Sequence, residues 1–369
     1  MGWLPFLVLL VVQASLRDLA TGYVGHGADS VLHRSEDAGI IPVMHTAGID
    51  LGGTKVQGVV VDRHGRRVGE ARGKTPVQDG TAAVVAEIAT VVKAAAKDAK
   101  VAPGKLAGIG IGSPGRMDKD SGKLFGAANV FGFHEGVPLG AMVADAVGVE
   151  RVVVDNDVVV ATLAEHRLGA GRDFDDLLTV FAGSGIGGAL ILGGRLRSGA
   201  HGAAGEIGHM VVVDGGELCP CGRRGCAEAY AGRNALERAA RAAAAAGRPT
   251  QLLEIQEQRG RPRMTSGVWK AALDAGDPLA HELIDRAVEA LGAAIASAVN
   301  LVDVQAVLIG GGLGDKLGEP FVRRIEDAMA PHLFLPPAQV VVRPGELGDY
   351  AGAMGATLLL DDGQAASRR

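Results

Sequence analysis

All three cysteines of the chain, Cys219, Cys221 and Cys226, fall in one short stretch, preceded by His209 at the end of the run Gly205-Glu206-Ile207-Gly208-His209. An odd, clustered set does not make a disulfide framework. Three thiolates and an imidazole at this spacing instead match a closed, tetrahedral Cys3His zinc site, against the alternative of three unliganded cysteines in a core. Zinc there would pin the backbone that carries Glu206 and Glu228. Two acceptor-only carboxylates beside a fixed imidazole suit vicinal hydroxyls, while exposed salt-bridge formation is the plainer role for both.

Glycine is the compositional outlier, at 56 residues, and it is concentrated in loops that could approach phosphate. Asp50-Leu51-Gly52-Gly53-Thr54-Lys55 lies between two apolar runs of strand length; its backbone amides can reach phosphate oxygens, with a hydroxyl and a charge added by Thr54 and Lys55. The Walker spacing is absent, and a simple tight turn is the alternative. Gly183-Ser184-Gly185-Ile186-Gly187-Gly188 formally satisfies Gly-x-Gly-x-x-Gly. A dinucleotide site requires a helix directly after those glycines, and here the strand-like Ala189-Leu190-Ile191-Leu192 follows. A third loop, Gly310-Gly311-Gly312, follows a strand and could lie against an adenosine. Three such loops in this order point to a nucleoside triphosphate. Between the first two, an apolar run delivers Asn156 and Asp157 to the start of a helix. Asp157 could face a cleft there, or cap the helix.

These groups must be positioned by a folded scaffold, and the composition provides for one. The chain has 369 residues, 47% hydrophobic and 21% charged, with a formal net charge of -5, which excludes disorder as the main state and gives no global attraction for a polyanion. Aromatic residues make up only 4%, so a sugar would be held by hydrogen bonds in a closed cleft rather than on exposed rings. The pattern predicts strands over 47–51, 57–62, 67–72, 106–112, 151–155, 177–182, 188–192 and 304–309. Helices are expected over about 81–100, 157–168, 233–246, 278–299 and 319–329. Two halves, each opening on a glycine-looped hairpin, suggest a duplicated α/β architecture. The expected division is an N-terminal extension over 1–45, a first α/β domain over 46–156 and a second over 157–369, whose last helix packs back on the first. Trp3 to Val12 is too short an apolar run to span a bilayer. It resembles a signal segment, with Val12-Gln13-Ala14 as a cleavage site, but no Lys or Arg precedes it, and Met44 is read as the start of the main product.

Taken together, the Asp50 to Lys55 run, Asn156-Asp157, the Gly183 to Gly188 loop, the Gly-Glu-Ile-Gly-His run, the cysteine cluster and the Gly310 to Gly312 loop resemble the ROK family of sugar kinases and repressors, from about Ala47 to Leu359. The resemblance implies a two-domain actin-like ATPase fold (ribonuclease H-like) closing over ATP, Mg2+ and a hexose. It implies Asp157 as catalytic base, and Asn129, Asn156, Glu206, His209 and Glu228 as sugar contacts. Asp50 would lie near Mg2+, and the nucleotide contacts would be Gly52, Gly53, Thr54, Lys55, Gly183, Ser184, Gly185, Gly187 and Gly310 to Gly312. His209, Cys219, Cys221 and Cys226 would hold structural zinc. Departures fall at Phe131-Gly132-Phe133, where the family's glucokinases carry Gly-Trp, and at Ala227-Glu228-Ala229-Tyr230, where they carry Trp-Glu-Gln-Tyr; the second suggests a lost wall that would admit a 2-acetamido group. The resemblance thus implies a glucokinase, with N-acetylglucosamine, N-acetylmannosamine, mannose or fructose as the alternative sugar. A noncatalytic sensor and a repressor are the remaining classes, the latter without a helix-turn-helix module in the 46 or so residues before the first motif. Thiolate-bound zinc and ATP favour a reducing cytoplasm, and family members are commonly homo-oligomers.

Overall fold

The computed structural model describes residues 44–118, 121–126, 136–336 and 339–361. The readings made above for the N-terminal extension up to residue 43 and for Asn129 and the Phe131-Gly132-Phe133 run lie outside these residues.

The first half builds β1 (His45–Leu51), β2 (Lys55–Val61), β3 (Arg67–Lys74), α1 (Gly80–Asp98), β4 (Leu106–Ser113), β5 (Arg116–Asp118), β6 (Lys123–Phe125), α2 (Leu139–Val147) and β7 (Val152–Asn156). The sheet order is β3-β2-β1-β4-β7, with β5 and β6 as a separate ribbon. The first three strands are antiparallel neighbours, whereas β4 pairs parallel with both β1 and β7. The strand β2 is buried along nearly its whole length, as a strand covered on both faces must be. On one side α1 supplies Val84, Val85, Ile88, Val91 and Val92 to the core, a stripe at helical spacing. At the end of α2, Gly148 takes the left-handed conformation that closes a helix without Cβ strain.

The second half repeats that wiring. From α3 (Asp157–Leu168) the chain enters β8 (Leu177–Ala182), β9 (Ile186–Leu192) and β10 (Arg195–Arg197), then α4 (Glu228–Ala231), α5 (Arg233–Ala245), α6 (Leu252–Gln258), α7 (Ser266–Asp274) and α8 (Pro278–Val302). It continues through β11 (Ala306–Gly310), α9 (Gly311–Leu317), α10 (Glu319–Met329), β12 (Val341–Pro344) and α11 (Ala351–Leu358). The order β10-β9-β8-β11-β12 has the same sequence of antiparallel and parallel pairings as the first sheet. This is the duplicated α/β architecture that the pattern of hairpins suggested, in the two-domain, actin-like form that the family resemblance implied. The long α8 starts with Pro278 behind the cap Asp277, which accepts from Ala280 N, and buries Leu283, Ile284, Ala287, Leu291 and Ile295 in the second core.

Two elements tie the sheets together. Helix α3 packs on β4, β7 and β9, and α11, although reached from β12, lies on β1, β4 and α3. Missing side chains make this possible: a Cβ on Gly48 would lie 2.0 Å from the carbonyl oxygen of Ala353, and one on Gly110 1.7 Å from that of Ala356. Two sequence expectations shift. Strand β9 begins at Ile186, so Gly187 and Gly188 pair with Phe181 and Val180 inside a hairpin, which removes the dinucleotide reading. The Gly310 to Gly312 turn is not an extended loop, because α9 starts at Gly311. That residue has φ +82°, and a Cβ on it would stand 2.8 Å from the Ala182 carbonyl oxygen.

Candidate active site

The ends of β1, β4 and β7 and the turn into β9 open on one cleft of about 780 Å3. Asp50, near the end of β1, faces it from the first lobe. Its neighbour across the cleft floor is α11, where a Cβ on Gly352 would stand 2.6 Å from the Asp50 carboxyl carbon. Loss of hydration pushes the Asp50 carboxyl up to about 7, the Asp157 charge adds to this, and the Lys55 ammonium opposes it. The first hairpin closes through Gly52 N–H to the Lys55 carbonyl at 2.9 Å. The Lys55 ammonium reaches Gln57 Oε1 and Asp349 Oδ1, each at 3.1 Å, and lines the cleft with Gly52 and Gly53. Thr54 is exposed at the hairpin tip and is not among the cleft-lining residues.

Asn156 and Asp157 divide the work at the start of α3. The Asn156 side-chain oxygen accepts from Val158 N at 2.9 Å and Val159 N at 3.3 Å, and its amide donates to the Gly115 carbonyl at 2.9 Å. Asn156 is thus the cap of α3, and it shares one of its donors with its neighbour: Asp157 Oδ1 also accepts from Val158 N at 2.9 Å. Asp157 is left facing the cleft, wedged between β4, where a Cβ on Gly112 would come 3.5 Å from its Cα, and β9, where Gly187 lies against Val158. Dehydration raises the proton affinity of its carboxyl, Val158 N–H opposes this, and the Glu206 charge reinforces it. A partly buried carboxylate with raised proton affinity, open to a cleft, is equipped to take a proton from a bound hydroxyl.

The second hairpin is cradled from below. Glu228 Oε2 accepts from Ile186 N at 2.8 Å, and a Cβ on Gly185 would lie 2.3 Å from that same oxygen. A Cβ on Gly208 would meet the Ile186 carbonyl oxygen at 2.1 Å, so the Gly-Glu-Ile-Gly-His run also lies flat on the hairpin. Behind it, His209 Nδ1 is 3.7 Å from Cys219 Sγ, Cys221 Sγ is 3.7 Å from Cys226 Sγ, and all four ligand atoms lie within 4.8 Å of one another. A tetrahedron with Zn–S bonds near 2.3 Å has S···S edges of roughly 3.8 Å, so the donor set fits zinc. The thiols also need a cation. Burial pushes Cys219 up to about 12 and raises Cys226, whereas backbone hydrogen bonding from Arg223 brings Cys221 down to about 6. The opposite face of the imidazole, Nε2, lies 3.9 Å from Glu206 Oε2, linking the metal cluster to the cleft.

The cleft thus gathers Asp50, Gly52, Gly53, Lys55, Asn156, Asp157, Gly183, Ser184, Gly185, Gly187, Glu206, His209, Glu228 and Gly310 to Gly312. Ala227 does not join them. It is fully buried, its N–H held by the Met210 carbonyl, and its side chain does not line the cleft. Sequence reasoning missed Arg233, Asp315, Asp349 and Glu165, which line the same space. Arg233 follows the Glu228 run closely, and Glu165 lies on α3, the same helix that starts at Asp157; Asp315 and Asp349 reach the cleft only through the return of the chain after β11.

A glucokinase of Thermotoga maritima is 32% identical over 87% of this chain and 99% of that protein. A glucokinase of Halalkalibacterium halodurans is 31% identical over 85% of the chain and 94% of its own length. Among solved structures, a ROK family glucokinase from Streptomyces griseus in complex with glucose and AMPPNP superposes with a TM-score of 0.72, at 33% identity, over 85% of this chain and 98% of that one. The ROK family model matches residues 46–362, a span that contains both hairpins, the helix cap and the thiol cluster, and this chain belongs to the ROK family.

Proposed function

We propose that the protein is an ATP-dependent glucokinase, transferring the γ-phosphoryl group of ATP to the 6-hydroxyl of glucose. The observation that carries this reading is Asp157: a carboxylate beside the helix cap Asn156, with a raised proton affinity, lining the same cleft as both glycine hairpins. In the reaction the sugar oxygen forms a bond to γ-phosphorus, the bond from γ-phosphorus to the bridging oxygen breaks to leave ADP, and the hydroxyl proton passes to the Asp157 carboxylate. Phosphoryl transfer of this kind depends on positioning and electrostatics more than on covalent chemistry. Magnesium carried with the nucleotide would supply charge neutralisation, with Asp50 the carboxylate placed to hold it through water. Glu206, His209 and Glu228 are the sugar's hydrogen-bond partners on this reading. Zinc at His209, Cys219, Cys221 and Cys226 is structural, fixing the loops that carry them.

The placement is further proposed to be cytoplasmic, where thiolates stay reduced, and the working unit a homo-oligomer; among the described residues no helix is long and apolar enough to cross a membrane. The test is ADP release by purified protein with Mg-ATP across glucose, mannose, fructose, N-acetylglucosamine and N-acetylmannosamine, alongside Asp157→Asn. Glucose is expected to be the best substrate, with kcat in the variant reduced by about 10^2-fold or more. A higher kcat/KM on another sugar reassigns the substrate, and no turnover on any sugar by folded, zinc-loaded protein ends the kinase reading.

A further inference from the structure

Arg233, the first residue of α5, is a cleft-lining cation that neither the motifs nor the mechanism above employs. Its backbone N–H donates to the Gly183 carbonyl at 3.1 Å, and the next residue's N–H, that of Asn234, to the Ser184 carbonyl at 3.0 Å, so the start of α5 is fastened to the second hairpin. The guanidinium then spans two elements: Nη2 donates to Ser184 Oγ at 2.9 Å and Nη1 to Ser266 Oγ, on α7, at 3.1 Å. On its third side is the Gly310 to Gly312 turn, where a Cβ on Gly312 would lie 3.7 Å from Nη1.

Both side-chain partners are neutral hydroxyls. The nearest acidic candidate, Glu237, is already bound by Arg241 and Arg263, and among the described residues no carboxylate pairs with Arg233. Partial withdrawal from water disfavours its charge, as does Arg263 nearby. A partly desolvated guanidinium without a counterion is unfavourable, and it keeps N–H donors beyond the two given to the serines. The arrangement is that of a held fork awaiting an anion. Its place in the cleft says which anion. If the reacting phosphoryl group is at Asp157, the polyphosphate runs along the second hairpin and the nucleoside lies towards Gly310 to Gly312. Arg233 bridges the hairpin and that turn, where phosphate gives way to ribose.

We propose that Arg233 is a nucleotide-contact residue whose guanidinium, held by Ser184 and Ser266, takes the α-phosphate oxygens of the bound nucleotide. The inference rests on the kinase reading above and deepens it. Titrations of the full-length, zinc-loaded protein with ADP, AMP and adenosine test it, comparing wild type with Arg233→Gln and Arg233→Lys. Removing a charge-assisted contact of this kind is expected to weaken ADP and AMP by about tenfold or more in Arg233→Gln, with adenosine within about twofold of wild type. KM for ATP should rise by a similar factor while KM for the sugar stays within about twofold, and Arg233→Lys should fall between. Melting curves without nucleotide verify folding, and Arg233→Lys carries the same comparison if Arg233→Gln does not fold. Unchanged ADP binding in a folded variant of an active enzyme overturns the α-phosphate contact alone. An equal loss for adenosine and AMP also overturns it, leaving the arginine as a brace for the hairpin. Wild-type protein that neither turns over sugar nor binds ADP overturns the kinase reading and this proposal with it.

Discussion

Two dehydrated carboxylates in the cleft make opposite demands on pH. Asp157 must be unprotonated to accept the hydroxyl proton, and its proton affinity is raised by the dehydrated cleft, so kcat/KM is expected to fall on the acid side at a pH above the ordinary carboxylate range of about 4. A pH–rate profile with its acid limb at or below that range would show that the cleft does not perturb this group. Because the Asp157 charge also acts on Asp50, the limb belongs to the pair rather than to either residue. For stability the sign is reversed. Asp50 rises from an ordinary 3.8 to about 7, so the folded state binds the proton more tightly than the unfolded chain does. The penalty for ionising it is absent below 3.8, grows as pH rises towards 7 and is fully developed above that. Asp50→Asn should therefore melt at a higher temperature than wild type in ligand-free protein, by a margin that widens between pH 4 and 7 and then levels off, while losing turnover. An equal margin at pH 4 and pH 8 would refute the dehydration account. At this scale the sequence was legible where residues share a short motif: Asn156-Asp157, the thiol cluster and the hairpins all lie in the cleft or directly beneath it. Arg233, Asp315 and Asp349 carry no motif, and only tertiary folding brings them in.

Among the elements, long and strongly patterned segments could be read from their periods. The expected strand over 177–182 and the helix over 319–329 coincide with β8 and α10, and α5 and α8 differ from expectation only at their ends. The strands that went unread, β5, β6, β10 and β12, have three or four residues and cannot display a period, and the short helices α2, α6 and α7, of seven to nine residues, also went unread. Glycine misled in one place: Gly310 to Gly312 reads as a loop, whereas α9 begins at Gly311, whose positive φ and contact with the Ala182 carbonyl leave no room for a side chain. The thiol-bearing loops have almost no regular structure of their own, so their shape depends on metal coordination and a few backbone bonds, among them Cys219 N–H to the Arg223 carbonyl at 2.8 Å and Ala227 N–H to the Met210 carbonyl at 2.9 Å. Cys221→Ala, or prolonged chelation, should release zinc and lower stability and activity together. A loss of only about 2 kcal/mol lowers Tm by roughly 4–8 °C in a domain of this class, and metal analysis beside a melting curve would detect it. The sugar KM should rise with it, because Glu206, His209 and Glu228 are carried by those loops. Full activity in protein shown to be free of zinc would defeat the structural role.

In the molecule as a whole, the duplication was visible in the sequence as two glycine-looped hairpins, and the return of the last helix to the first domain was expected; the close approach of the two helices that join the halves was not, because it depends on side chains that are missing. Both connections between the sheets run through the helix pair α3 and α11. One of these helices presents Asp157 at its start, and the other lays Gly352 against Asp50, so their separation fixes how far apart the two carboxylates stand. That separation is set by Gly355, where a Cβ would lie 1.7 Å from the Val160 carbonyl oxygen. The obstacle is backbone and cannot rotate away, so Gly355→Ala must push the helices apart. Overpacking of this kind costs roughly 1–3 kcal/mol, and the displaced carboxylates should lower kcat further in whatever protein remains folded. Gly104→Ala is the matched control: a Cβ there meets nothing within 4 Å, and the change should alter stability by no more than about 0.5 kcal/mol and leave turnover intact. Denaturant unfolding and initial rates on the pair separate the two effects. If Gly355→Ala were as stable and as active as Gly104→Ala, the helices would not be in backbone contact, and the spacing of Asp50 and Asp157 would have to be set elsewhere in the molecule.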